Sequence, residues 1–251
     1  MHKFLISISF IFCVIITMAQ TDNTAIQQHL YPTKNIVSKY HNDWTRIHYK
    51  KRIEAFKKDP LLKNEIVFIG NSITEKGHNW SEKFDIDHIR NRGISGDLTD
   101  GVLKRLDEIT YSEPKAVFIL IGINDLYNLH HNETGKSNLK YFKIIPSAKY
   151  VAKNILKITK EINHKSPKTK IYVRTILPTR QTYLKEDIIK VNKLLAQYEK
   201  KANYSLIDLY SHFTNGEELL KKEYTDDGLH LSEKGYEKWI SIEKDLIKKI
   251  N

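Results

Sequence analysis

The chain holds a single cysteine, Cys13, among 251 residues, and it falls in an apolar stretch at the N-terminus. No disulfide can close within the chain, and once that stretch is removed neither a thiolate metal site nor a cysteine nucleophile remains possible. Long apolar runs are also missing. The uncharged run Phe4 to Met18 stops short of the ~20 residues that span a bilayer. There is no internal repeat and no low-complexity linker. The lysines are scattered along helical faces without the aromatic interleaving of a single-strand reader. The net charge of +11 therefore reads as solvated surface, and nucleic acid is not an expected partner. His130 and His131, with Glu133 nearby, have no acidic cluster to complete a metal site and read as a solvated loop.

What is present begins with a targeting pattern. Met1-His2-Lys3 is basic, the apolar run follows, and Thr17-Met18-Ala19 offers small residues for cleavage. Residues 1–19 are expected to be a signal peptide, so the protein is expected to be exported, to the periplasm or beyond, with no lasting membrane anchor. Residues 20–251 suit one α/β domain.

Within that domain, an amphipathic pattern near 36–58 reads as a packing helix laid over the rest and ended by Asp59-Pro60. Apolar runs at Ile66–Ile69, Ala116–Ile121, Ile171–Val173 and Leu206–Ile207 read as strands, with a weaker one near Ile86–Arg90. Helical patterns at 98–109, 146–163, 187–202 and 233–250 alternate with them. Strands without polar alternation, separated by helices, imply a mainly parallel five-stranded sheet in a three-layer α/β/α sandwich. Ligands bind beyond the carboxyl ends of such strands. Ser72, Gly93 with Gly96, and Asn124-Asp125 all follow strands, and Asp227 to His230 could join them at the same edge.

Four blocks stand in order: Ile69-Gly70-Asn71-Ser72-Ile73-Thr74, Asn91-Arg92-Gly93-Ile94-Ser95-Gly96-Asp97, Gly122-Ile123-Asn124-Asp125 and Asp227-Gly228-Leu229-His230. Together they resemble the SGNH hydrolases, also called the GDSL esterase/lipase family, with Asn71 where the older family name has aspartate. The resemblance implies a flavodoxin-like sandwich, a Ser72 nucleophile, a His230 base and an Asp227 that orients it. It also implies an oxyanion hole from the N–H groups of Ser72 and Gly96 and the amide of Asn124, with no cofactor and no metal. A serine hydroxyl needs such a base, and the developing oxyanion needs donors already aimed at it. Gly93 is expected as the turn glycine of the second block, and Asp125 as an organiser of its loop.

Substrate contacts are less specified. Asn71, Asp125, Tyr127, Arg174 and Arg180 are candidates, and the stretch from Leu126 to Lys143 reads as a long loop at the active edge. The leading expectation is a serine esterase that removes a small acyl group, acetyl above all, from a small ester or an acylated glycan. A lysophospholipase or thioesterase using the same groups is the alternative. A catalytically silent glycan-binding protein is a third, disfavoured by the intact set of five site residues. Nothing in the sequence fixes the oligomeric state.

Overall fold

A computed structural model describes residues 29–33, 38–133 and 140–251. The expected signal segment at 1–19 lies outside these residues. Among them no helix is long and apolar enough to cross a membrane.

Five strands, β1 (Ile66–Gly70), β2 (Ile89–Gly93), β3 (Ala116–Leu120), β4 (Lys170–Arg174) and β5 (Ser205–Ile207), form one parallel sheet in the order β2-β1-β3-β4-β5. The protein is an α/β/α sandwich. Every residue of β1 and β3 is buried, as central strands covered on both faces require. Phe68, Phe118 and Tyr172 lie in register across β1, β3 and β4. On their face of the sheet Phe68 packs on Trp80 with ring centroids 5.0 Å apart, and Trp80 packs on Trp239 of the Glu233–Ile250 helix at 4.9 Å. The helices Ala148–Lys165 and Lys185–Glu199 pack against each other in another layer, where Val151, Ile155, Ile158, Val191 and Leu195 are buried.

Several expected elements shift. The second strand begins at Ile89 because Ile86 sits in the loop before it. This strand is polar, so its apolar signal is displaced. Its side chains serve as ties: Arg92 pairs with the buried Glu108 at 2.7 Å, and Asn91 donates to the carbonyls of Thr74, Glu75 and His78. The helix expected over 98–109 is two short ones, Thr99–Leu103 and Asp107–Tyr111. The break turns Arg105 inward, where it bonds the Asp97 carboxylate at 3.0 Å and the carbonyls of Arg92 and Gly70. The N-terminal helix runs from Asp43 to Lys58 and is capped by Asn42, whose side chain accepts from Thr45 N–H. Part of the supposed loop after Asn124 is helical, Ile123–Leu129, followed by a short 3-10 turn at 131–133. The segment 134–139 of that loop lies outside the described residues.

Candidate active site

Ser72 opens a four-residue helix, Ser72–Glu75, directly after β1, and Asn71 caps it by accepting from Ile73 N–H at 3.0 Å. This helix is too short to hold itself together. Tertiary bonds replace the missing turns: Trp80 Nε1 donates to Thr74 O, and Tyr236 OH donates to Ile73 O at 2.8 Å. The hydroxyl of Ser72 stands 3.0 Å from Nε2 of His230. On the far side of that ring, Nδ1 lies 2.6 Å from Oδ2 of Asp227. The other carboxylate oxygen of Asp227 accepts from the N–H groups of Leu229 and His230 at 2.9 and 2.7 Å. Gly228 makes this tight loop possible, with φ +82°, a left-handed conformation that costs little without a Cβ. Partial burial works to raise the Asp227 pKa. The bonds from His230 and Leu229 outweigh it and hold the carboxyl at about 2.

Ser72, Gly96, Asn124, Asp227 and His230 line one cavity of about 750 Å³. Gly96 is the turn residue of its block, with φ +78°. Gly93, expected in that role, instead ends β2, where an added Cβ would fall 2.3 Å from the backbone nitrogen of Glu75. Only a glycine lets the serine's helix lie this close to the neighbouring strand. The amide of Asn124 is aimed by a bond from Nδ2 to Asp97 O at 2.9 Å, which leaves its second N–H free of that bond. Asp97 itself is fully buried between His41, at 3.2 Å, and Arg105. One network thus fixes both the loop of Gly96 and the amide of Asn124.

The five candidate substrate contacts separate. Tyr127 lines the cavity, packed edge-on against Tyr183. Arg180 does not line it. Its N–H donates to Gly228 O at 2.8 Å and its guanidinium to Leu220 O at 3.0 Å, so it braces the His230 loop from behind. Arg174 is a correction as well. It lies 1% exposed, paired through two 2.7 Å bonds with Glu243 and stacked over Phe68, Phe118 and Trp239. Two residues after Tyr172 in the same strand, it faces the aromatic layer and not the cleft. Asn71 is spent on the helix cap and is 1% exposed. Asp125 is fully buried, with both oxygens accepting from Thr99. Burial, with a smaller push from the Asp97 charge, raises its carboxyl to about 7 against the pull of the Thr99 bonds.

His130 is drawn into an ion-pair cluster, 2.8 Å from Asp187 and 3.2 Å from Glu133. Among the described residues no group of three or more His, Cys, Asp or Glu side chains is placed to hold a metal. Sequence reasoning missed Trp44, His48, Tyr183 and Gln181, which also line the cleft. The spacing of Trp44 and His48 by four on an amphipathic helix was the available signal. It read as ordinary packing.

A serine, a histidine and a carboxylate joined in series beside aimed amide donors, at the carboxyl edge of a parallel sheet, define an acyl-transferring hydrolase. The GDSL-like Lipase/Acylhydrolase family matches residues 68–238, and the chain belongs to that family and is a hydrolase of ester bonds. It is 30% identical over 203 residues to platelet-activating factor acetylhydrolase IB subunit alpha2 of Rattus norvegicus, covering 78% of this chain and 79% of that protein. A GDSL-like lipase structure from Bacteroides thetaiotaomicron superposes with a TM-score of 0.63 at 23% identity, covering 81% of this chain and 98% of that one. An acetylxylan esterase structure from Geobacillus stearothermophilus does so with a TM-score of 0.57 at 17% identity, covering 76% and 95%.

Proposed function

We propose that the protein is an exported serine esterase that removes a small acyl group, acetyl above all, from a carbohydrate. One observation supports it most: among the described residues, Ser72 opens into a cleft whose aliphatic side chains are Leu98 and Leu229, the other side chains of the lining being polar or aromatic. Such a wall suits a hydroxylated alcohol better than a long acyl chain. The rat relative, an acetylhydrolase by name, supports the acetyl group. The basic, apolar and small-residue pattern of residues 1–19 supports export.

In this reading Ser72 Oγ attacks the ester carbonyl while Nε2 of His230 takes its proton. Asp227 holds the ring in the tautomer with hydrogen on Nδ1 and stabilises the imidazolium. The N–H groups of Ser72 and Gly96 and the Asn124 amide receive the oxyanion. Collapse expels the sugar alcohol, which takes the proton from His230. Water then repeats the sequence on the acyl-enzyme, releasing the acid.

Tyr127, Tyr141 and Tyr183 on the same wall favour a second reading, a lysophospholipase or thioesterase in which these rings enclose an acyl chain. Hydrolysis of p-nitrophenyl esters from acetyl to octanoyl separates the two. A steep preference for acetyl is expected, with kcat reduced on the order of 10⁴-fold or more in Ser72→Ala. A rise in kcat/KM toward octanoyl would favour the second reading, and undiminished turnover by Ser72→Ala would defeat both.

A further inference from the structure

Of three tryptophans, Trp80 and Trp239 are fully buried whereas Trp44 is 58% exposed. An indole left in water forgoes much of the burial its area offers. Trp44 lies on the wall of the cleft that holds Ser72 and His230. Its Cζ3 would come within 3.1 Å of a Cβ added to Gly96, so the ring abuts the oxyanion loop.

The ring is also held in one orientation. Trp44 stacks on His48, one helical turn later, with centroids 5.0 Å apart and planes 6° from parallel. His48 is pinned in turn, its Nε2 lying 3.1 and 2.9 Å from the two oxygens of Glu75. Glu75 also accepts from Ser95 N–H, next to Gly96, and closes the four-residue helix that Ser72 opens. An apolar plate is thereby fixed relative to the serine through a chain of three side chains. The Asp43–Lys58 helix that carries it precedes the family match at 68–238.

We propose that Trp44, backed by His48 and Glu75, is the subsite for the pyranose ring that bears the scissile acyl group. The inference rests on the glycan-ester reading above. A sugar presents a C–H face to an aromatic plate and hydroxyls at its rim, where Asn42, Lys76 and Tyr141 line the same cleft. Preorganisation of the plate spares the cost of ordering it on binding. The helix outside the family match thus supplies alcohol specificity, and the core of the sandwich supplies the chemistry.

The test compares xylose tetraacetate with p-nitrophenyl acetate, which has no sugar. Trp44→Ala is expected to lower the ratio of the two kcat/KM values about tenfold, chiefly through KM for the sugar ester. Trp44→Phe should keep most of the ratio. Ile47→Ala, at an exposed position of the same helix outside the cleft lining, should leave it unmoved. Equal losses on both esters, or an unchanged ratio, overturn the subsite while leaving the esterase reading intact.

A binding arm separates the two ideas further. Ser72→Ala protein is titrated with xylohexaose and followed by tryptophan fluorescence, with Ser72→Ala/Trp44→Ala as the reference. A saturable change that disappears in the double variant supports the subsite, and its absence overturns it. Wild type that binds xylohexaose through Trp44 and cleaves the aryl acetate, yet leaves every sugar acetate intact, would overturn the glycan-esterase reading and with it the assignment of Trp44 to the acyl-bearing ring.

Discussion

Asp125, in the first turn of the Ile123–Leu129 helix, and Asp227, on the loop before His230, stand at one sheet edge, 0% and 53% exposed in turn, and their carboxyls move in opposite directions from an ordinary 3.8. Asp125 is raised to about 7, mainly by burial, and Asp227 is lowered to about 2 by the hydrogen bonds that overcome its own partial burial. The difference separates a frame from a working loop. Around Asp125, Thr99 and Asp97 the structure is closed, and its polar groups answer one another. Around Asp227 it is open, and a permanent negative charge is kept where an imidazolium would form. A charge held in the open loop retains water on one side and so costs little to maintain.

The largest break in this comparison comes from the open loop. Asp227→Asn keeps the shape but not the charge or the tautomer preference. It is expected to lower kcat on p-nitrophenyl acetate on the order of 10³- to 10⁴-fold, with KM little changed. Its effect on stability has a defined sign. A carboxyl depressed from 3.8 to about 2 adds stability that is present above pH ~4 and is lost as pH falls toward 2. Wild type and variant should therefore converge in urea stability on acidification through that window, and a gap that stays constant would refute the assignment.

The frame should break the other way, in stability and not in rate. Arg174→Met leaves Glu243 buried without its partner, at a cost of about 3 to 5 kcal/mol. The folded fraction should retain its kcat, since Arg174 is not among the residues that line the cleft. Pairing it with Glu243→Gln should recover much of the loss, and thermal denaturation of the three variants measures this. A fall in kcat with the fold intact would return Arg174 to the site.

The smallest effect sharpens the comparison at Asp125. Its carboxyl, raised from 3.8 to about 7, keeps its proton in the folded protein over a range where the unfolded chain has lost it. That contribution is complete below pH ~4 and is withdrawn as pH rises toward 7. Asp125→Asn lacks the titration, so its stability relative to wild type should improve across pH 4 to 7. Denaturant midpoints at several pH values would show it, and a relative decline over that range would contradict the burial argument.

Sequence made the four blocks, the strand-helix alternation and the position of Ser72 after β1 legible, because each depends on local pattern and chain order. The C-terminal helix, Glu233–Ile250, matches the expected span of 233–250 to the residue. Less was legible where side chains serve distant partners. The polar strand Ile89–Gly93 hid behind its arginines, and the break at Arg105 has no local cause. Arg174 and Arg180 look alike in sequence, but one is sealed beneath aromatic rings and the other supports a loop from behind.

By itself, the sequence determined the family and the types of residue available for acyl transfer. Local spacing sets which residues follow a strand, and apolar period sets which face is buried. Tertiary structure alone decided which carboxylate stays charged, which arginine is buried and which helix walls the cleft. Those outcomes depend on groups tens of residues apart meeting in a medium of low polarity, where burial and pairing outweigh anything a residue carries in its own neighbourhood.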